Sequence, residues 1–140
     1  MAEPGPLCVA ITGANRGLGR ELVQQYAGQG ARVLALSRRP PENVPKTVVW
    51  HRVDLSDASA IESLSTKLAG QPIDILINNA AIRGATGGLS AVAAQDFARV
   101  MAVNALAPVL LTRALLPNLR AGSARCCDDF QPRGIAGRGA

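Results

Sequence analysis

The segment Ile11-Thr12-Gly13-Ala14-Asn15-Arg16-Gly17-Leu18-Gly19 constrains this chain more than any other. It follows a short apolar run over 7–11. It precedes apolar residues at Leu18, Leu22, Val23 and Tyr26, which is helical spacing. The reading is strand, glycine turn, helix. Such a turn aims backbone N–H groups and the positive end of a helix at one point, and that point suits a phosphate. Gly13 takes the sharp turn leaving the strand. Gly17 and Gly19 remove side chains where a pyrophosphate and the sheet come close. The alternative is a purely structural turn.

The rest of the chain alternates in the same way. Gly28 and Gly30 end the first helix. Arg32 to Ser37 and Val48 to Val53 read as strands. Ser56 is a candidate N-cap with Asp57 in the first turn. Ile61, Leu64 and Leu68 then line one helix face that stops at Gly70-Gln71-Pro72. Ile73 to Asn78 reads as a fourth strand, and 83–89 as a glycine-rich loop. From about Ala91 to Leu119 the pattern is helical, with a kink expected near Pro108. Strands alternating with helices imply an α/β fold with a parallel sheet covered on both faces.

The chain has 140 residues, enough for one domain, and its 18% charged content is that of a globular protein. Fifteen basic against ten acidic residues give +5. No basic run carries interleaved aromatics, so nucleic acid is not an expected partner. No apolar stretch is read as long enough for a bilayer, and 1–6 lacks the basic start and apolar core of a signal peptide. A cytoplasmic protein without a membrane partner is expected. Cys8, Cys126 and Cys127 make no disulfide framework, and Cys8 reads as a small buried hydrophobe. His51 is the sole histidine and reads as structural or exposed, and no cluster supports a metal site.

The spacing Thr-Gly-x-x-x-Gly-x-Gly resembles the short-chain dehydrogenase/reductase family, and further matches follow in order. Ser37-Arg38-Arg39 ends the second strand, where that fold meets the adenosine ribose. A carboxylate there suits a free 2′-hydroxyl and a guanidinium suits a 2′-phosphate. With Arg16 nearby and no acid, the resemblance implies NADP rather than NAD; the alternative is two solvated arginines in a turn. Asp54-Leu55 follows the third strand, where an acid accepts from the adenine amino group and its neighbour packs on the ring. Asp54 beginning the next helix turn is a fair competitor. Asn78-Asn79-Ala80-Ala81 resembles the family's Asn-Asn-Ala-Gly motif, with Ala81 in place of glycine. There the backbone passes the nicotinamide ribose and the amides tie strands together; the alternative is a plain turn. Asn104, four residues after Val100 and seven after Phe97, is expected to point with them into the core. The resemblance gives it a role in holding a proton-relay water; the alternative is an asparagine relieving the backbone ahead of Pro108.

The cofactor-binding set implied by the resemblance is therefore Thr12, Gly13, Asn15, Arg16, Gly17, Leu18, Gly19, Ser37, Arg38, Arg39, Asp54, Leu55, Asn78, Asn79, Ala80 and Ala81. Asn104 is the one catalytic candidate. The implied fold is a Rossmann-like doubly wound parallel sheet, incomplete, with four strands in order 3-2-1-4 over 1–120. The fourth strand is expected to be left as an open apolar edge.

The family's proton transfer uses a Tyr-x-x-x-Lys pair and a serine. The only tyrosine is Tyr26, and the lysines are Lys46 and Lys67. In a chain of ordinary family length that pair falls beyond Ala140. The expectation is an NADP-dependent oxidoreductase of carbonyl or alcohol substrates, here a truncated chain inactive by itself. The alternatives are a non-catalytic NADP-binding module, or an interaction fragment forming a homo- or hetero-oligomer with a full-length relative.

Residues 121–140 carry Gly, Arg, Pro and Ala with little apolar pattern. They are expected to be an unstructured tail. The codons for Cys126 to Gln131, read one base later, permit Val-Val-Thr-Ile-Ser-Ser. That run suits a buried strand ending in serines, so the tail is read as frameshift-derived.

Overall fold

The structure, a computed structural model, describes residues 5–122. Most of the tail reading thus lies outside the described residues. Four strands, β1 Cys8–Thr12, β2 Arg32–Ser37, β3 Val48–Arg52 and β4 Ile75–Ile77, form one parallel sheet in the order β3-β2-β1-β4. This is the expected Rossmann-like order. The central strands β1 and β2 are buried almost throughout, which is why their residues are nearly all apolar. The outer strands are more open: β3 exposes Val49, Trp50 and Arg52, and β4 is half-buried along its length.

Helix α1, Gly17–Gly28, covers one face. Its Val23 and Ala27 pack on Val9, Ile11, Val33 and Ala35. Leu18, placed in the helical apolar set from sequence, is 67% exposed. It sits in the first turn, beyond the reach of the sheet. Gly30, at φ +84°, turns the chain into β2 as expected.

The other face carries α2 Ala58–Lys67 and α4 Ala107–Ala114. Ile61, Leu64, Leu68, Leu111 and Leu115 pack there on Ala10, Leu34 and Leu36. Asp57, not Ser56, caps α2: its carboxylate accepts from the N–H groups of Ser59 and Ala60 at 2.9 and 3.2 Å. Ser56 instead donates its hydroxyl to Asp54 at 2.7 Å.

Between β4 and α4 the chain runs through a loop, a 3-10 turn at Leu89–Ala91 and helix α3, Ala94–Met101. A π-helical turn, Ala102–Leu106, joins α3 to α4. Pro108 has no N–H to give the carbonyl of residue 104. The helix therefore widens, with the Ala107 N–H reaching Ala102 five residues back. The axis continues through Pro108. The break falls at Leu115, ahead of Pro117, after which α5 runs Leu116–Ala121.

Ala94–Ala114 forms 21 helical residues with mean hydropathy 1.3, so one helix here is long and apolar enough to cross a bilayer by length and composition. This corrects the sequence expectation that no apolar stretch is long enough. The same helix packs Val103, Ala107 and Leu111 into the protein, as a helix on a sheet does.

Candidate active site

The first wall of the site is the turn after β1. Gly13 has φ +65°, and its N–H donates to the Leu36 carbonyl at 2.9 Å, tying the turn to the end of β2. Arg16 occupies the N-cap of α1 in extended conformation. No side chain caps the helix and no acid lies in its first turn. Its leading N–H groups thus remain a donor set for an anion. A Cβ on Gly17 would meet nothing within 4 Å, so that side of the turn is open. A Cβ on Gly19 would collide with the Gly13 carbonyl and sit 2.6 Å from the Asn79 amide nitrogen. Gly19 therefore serves the packing of helix against turn.

The second wall is the end of β4. The Thr12 hydroxyl accepts from the N–H groups of Asn79 and Ala80 at 3.0 and 2.9 Å and donates to the Ile77 carbonyl at 3.4 Å. The Asn79 amide donates back to the Thr12 carbonyl at 3.1 Å. These bonds splice β4 to β1 at the lip of the sheet. Asn78 is exposed and makes no such tie.

Asn104 corrects the sequence reading. It is exposed, and Phe97 on its helix is 59% exposed, so that face does not enter the core. The π turn shifts the helical phase, and Val103 and Ala107 point inward instead. The Asn104 amide grips one residue of the β4 loop from both sides. It donates to the Ile82 carbonyl at 2.9 Å and accepts from the Ile82 N–H at 2.8 Å.

The third wall comes from β2 and β3. Ser37 is buried, donates its hydroxyl to the Arg39 carbonyl at 2.6 Å and accepts from the Trp50 indole N–H at 3.2 Å. Asp54 accepts from the Ser56 hydroxyl and N–H on one carboxylate oxygen, at 2.7 and 3.0 Å. Those two bonds lower its pKa, and the nearby Arg38 and Arg52 lower it further.

The walls enclose an elongated cleft of about 1150 Å³ at the carboxyl ends of the strands. Of the residues expected at a cofactor, Gly13, Asn15, Arg16 and Gly17 line it from the turn. Ser37, Arg38, Arg39, Asp54 and Leu55 line it from β2 and β3, and Asn79, Ala80 and Ala81 from β4. Thr12, Leu18, Gly19, Asn78 and Asn104 are not among its lining residues. Thr12, Gly19 and Asn104 shape it through the contacts above. Five arginines from three strand ends and one helix line the cleft, against Asp54 as its one lining carboxylate. With an uncapped helix start, this donor set fits the phosphates of a dinucleotide.

The sequence model of the family described as short chain dehydrogenase matches residues 7–125. The chain belongs to the short-chain dehydrogenase family. Short chain dehydrogenase andI of Emericella variicolor is 32% identical over 144 residues, spanning 91% of this chain and 50% of that relative. (+)-Neomenthol dehydrogenase of Arabidopsis thaliana is 35% identical over 99 residues, spanning 60% of this chain and 33% of that one. A metagenomic short-chain oxidoreductase solved in complex with NADP superposes with TM-score 0.70 at 30% identity, over 82% of this chain and 57% of that one. A short-chain dehydrogenase of Leptospira borgpetersenii solved with bound NAD+ superposes with TM-score 0.74 at 28% identity, over 82% and 46%. This short-chain dehydrogenase chain spans between a third and a half of the length of these two curated relatives.

Several lining residues of this short-chain dehydrogenase lay outside the expected cofactor set, among them Trp50, Arg52 and Arg99. Trp50 and Arg52 alternate along β3, and only the register that sets Ser37 opposite Arg52 brings them to the cleft. A strand pattern carries that alternation but not the register. Arg99, paired with Asp96 at 2.8 Å, arrives through the loop between β4 and α3, which local pattern does not place.

Proposed function

We propose that the chain is the cofactor-binding half of an NADP-dependent oxidoreductase acting on carbonyl or alcohol substrates. The observation that carries the reading is Arg16, Arg38 and Arg39 lining one cleft with the uncapped start of α1. The α1 N–H groups would hold the pyrophosphate, Asp54 the adenine, and Arg38 and Arg39 the 2′-phosphate. When bound, the nicotinamide supplies the hydride. The splice of Thr12 to Asn79 and Ala80 would fix the wall against which the nicotinamide ribose lies.

Proton transfer needs a group outside this set. The one tyrosine, Tyr26, belongs to α1, and no lysine follows it four positions on. These 140 residues are therefore proposed to bind cofactor without turning over substrate by themselves. The relatives bind NADP in one solved case and NAD+ in another, so cofactor choice rests on the arginines.

The test is a titration of both cofactors into the purified chain. NADP is expected to bind about tenfold or more tighter than NAD, since a charge-assisted bond contributes about 1.5–3 kcal/mol. Replacing both Arg38 and Arg39 by alanine should erase the difference. Equal affinities in the unmutated chain would sink the reading.

A second reading has its own support. Met101, Leu106 and Val109 lie 46, 52 and 64% exposed along the outer side of the α3–α4 helix. That face suits the interaction fragment, and sedimentation at several concentrations separates a self-associating chain from a monomer.

A further inference from the structure

We infer that β3 supplies the outer wall of the 2′-phosphate pocket, with Trp50 as a positioning residue and Arg52 as a direct contact. The inference rests on the NADP reading and adds two residues to it.

The geometry starts from strand pairing. Ser37 of β2 lies opposite Arg52 of β3, and Ala35 opposite Trp50. Side chains alternate along a strand, so Trp50, Arg52 and Ser37 share one face of the sheet at its carboxyl end. Trp50 is 36% exposed and Arg52 is exposed, and both line the cleft beside Arg38 and Arg39.

Hydrogen-bond chemistry then gives the contact a direction. An indole nitrogen only donates. Trp50 donates to the Ser37 oxygen at 3.2 Å, so Ser37 must accept there. The single hydroxyl proton is left for the Arg39 carbonyl, which it meets at 2.6 Å. Trp50 therefore orients Ser37, and Ser37 holds the backbone of the turn bearing both arginines. A turn held before the ligand arrives binds with less ordering entropy lost. Arg52 brings a further guanidinium to the pocket from the neighbouring strand. Its planar fork suits phosphate oxygens.

The roles make different demands on a ligand. The turn and Arg52 are assigned to the 2′-phosphate, so their loss should change the discrimination between adenosine 2′,5′-bisphosphate and AMP more than nucleotide binding in general. Both nucleotides are titrated by calorimetry into the complete chain and its variants. The unmutated chain is expected to favour the bisphosphate. Trp50→Phe keeps an aromatic ring but loses the donor, and is expected to lower bisphosphate affinity about threefold to tenfold with AMP changed by less than about twofold. Arg52→Gln, a change at an exposed side chain, is expected to lower bisphosphate affinity by a similar factor and to flatten its salt dependence. In a Ser37→Ala background Trp50→Phe should have no further effect, because the relay is already broken.

Equal affinity of the unmutated chain for the two nucleotides overturns the NADP reading and this inference with it. A preference that survives Trp50→Phe, or a loss equal for both nucleotides, overturns the positioning role alone. A preference that survives Arg52→Gln overturns the direct contact. Should Trp50→Phe fail to fold, Ser37→Ala reads the same relay: selective loss of the bisphosphate upholds it, and an unchanged preference overturns it.

Discussion

Thr12 shows how much one side chain holds at the lip of the sheet. Its hydroxyl satisfies two backbone N–H groups, of Asn79 and Ala80, and it is 1% exposed. Thr12→Val keeps the shape and strands the Ala80 N–H, while the Asn79 N–H keeps the Ile77 carbonyl at 3.1 Å. A buried donor left unpaired costs about 1–3 kcal/mol. The variant should therefore unfold at lower denaturant with an unchanged slope, and an unchanged midpoint would refute the splice. His51 makes the second residue-scale case. Its Nε2 is buried without a partner, and burial, then Lys67 and Arg32, hold its pKa below the ordinary 6.5. The unfolded chain thus takes up the proton first as pH falls. The contribution to stability is whole above the ordinary value and is lost as pH falls through the lower folded value. Melting temperature should fall between about pH 7.5 and pH 5.5, and His51→Val should flatten that slope. An unaltered slope in the variant would show that another group titrates.

Whole elements were legible in the sequence wherever a local pattern sufficed. β2 runs Arg32–Ser37 as its apolar run indicates, and the glycine turn leads into α1 as expected. The parallel order followed from the family resemblance and from the alternation of strands with helices. What local pattern misses is competition between neighbours and register. Ser56 and Asp57 are both capable caps, and the structure spends Ser56 on Asp54, leaving Asp57 to the helix. Asn104 looked like a core residue by helical counting, but the π turn before Pro108 changes the count. Its amide instead brackets the backbone of Ile82. This makes Asn104 the tie between helix and loop, and Asn104→Ala should release the loop without unfolding the sheet. Hydrogen exchange is the measurement: the Ile82 amide should lose protection while amides of β1 and β2 keep theirs. Protection retained at Ile82 would remove the tie from the account.

At the scale of the molecule, the sheet ends at β4, an edge without a further strand among the described residues. Gly122 lies against the Ile73 carbonyl, and its N–H donates to the Asn118 carbonyl at 3.1 Å, so the chain arrives beside the start of that edge. An open apolar edge is a pairing liability, and a β-branched run would suit it. The residues after it change character, and the family match ends at residue 125. Cys126-Cys127-Asp128-Asp129-Phe130-Gln131 must be encoded as TGY TGY GAY GAY TTY CAR. Dropping the first base gives GYT, GYG, AYG, AYT, TYC and, with the first base of Pro132, ARC. Each allows two residues: Val or Ala, Val or Ala, Thr or Met, Ile or Thr, Ser or Phe, Ser or Asn. One choice is Val-Val-Thr-Ile-Ser-Ser, a strand run closing on the serines that the family resemblance implies. The remaining frame begins with leucine and then forces arginine or a stop twice, which suits no buried strand. The expected result of sequencing the gene is therefore that the shifted frame stays open from this point and encodes a Tyr-x-x-x-Lys pair downstream. A stop soon after the shift, with no such pair, would end the frameshift reading and leave 121–140 to be explained by its own residues.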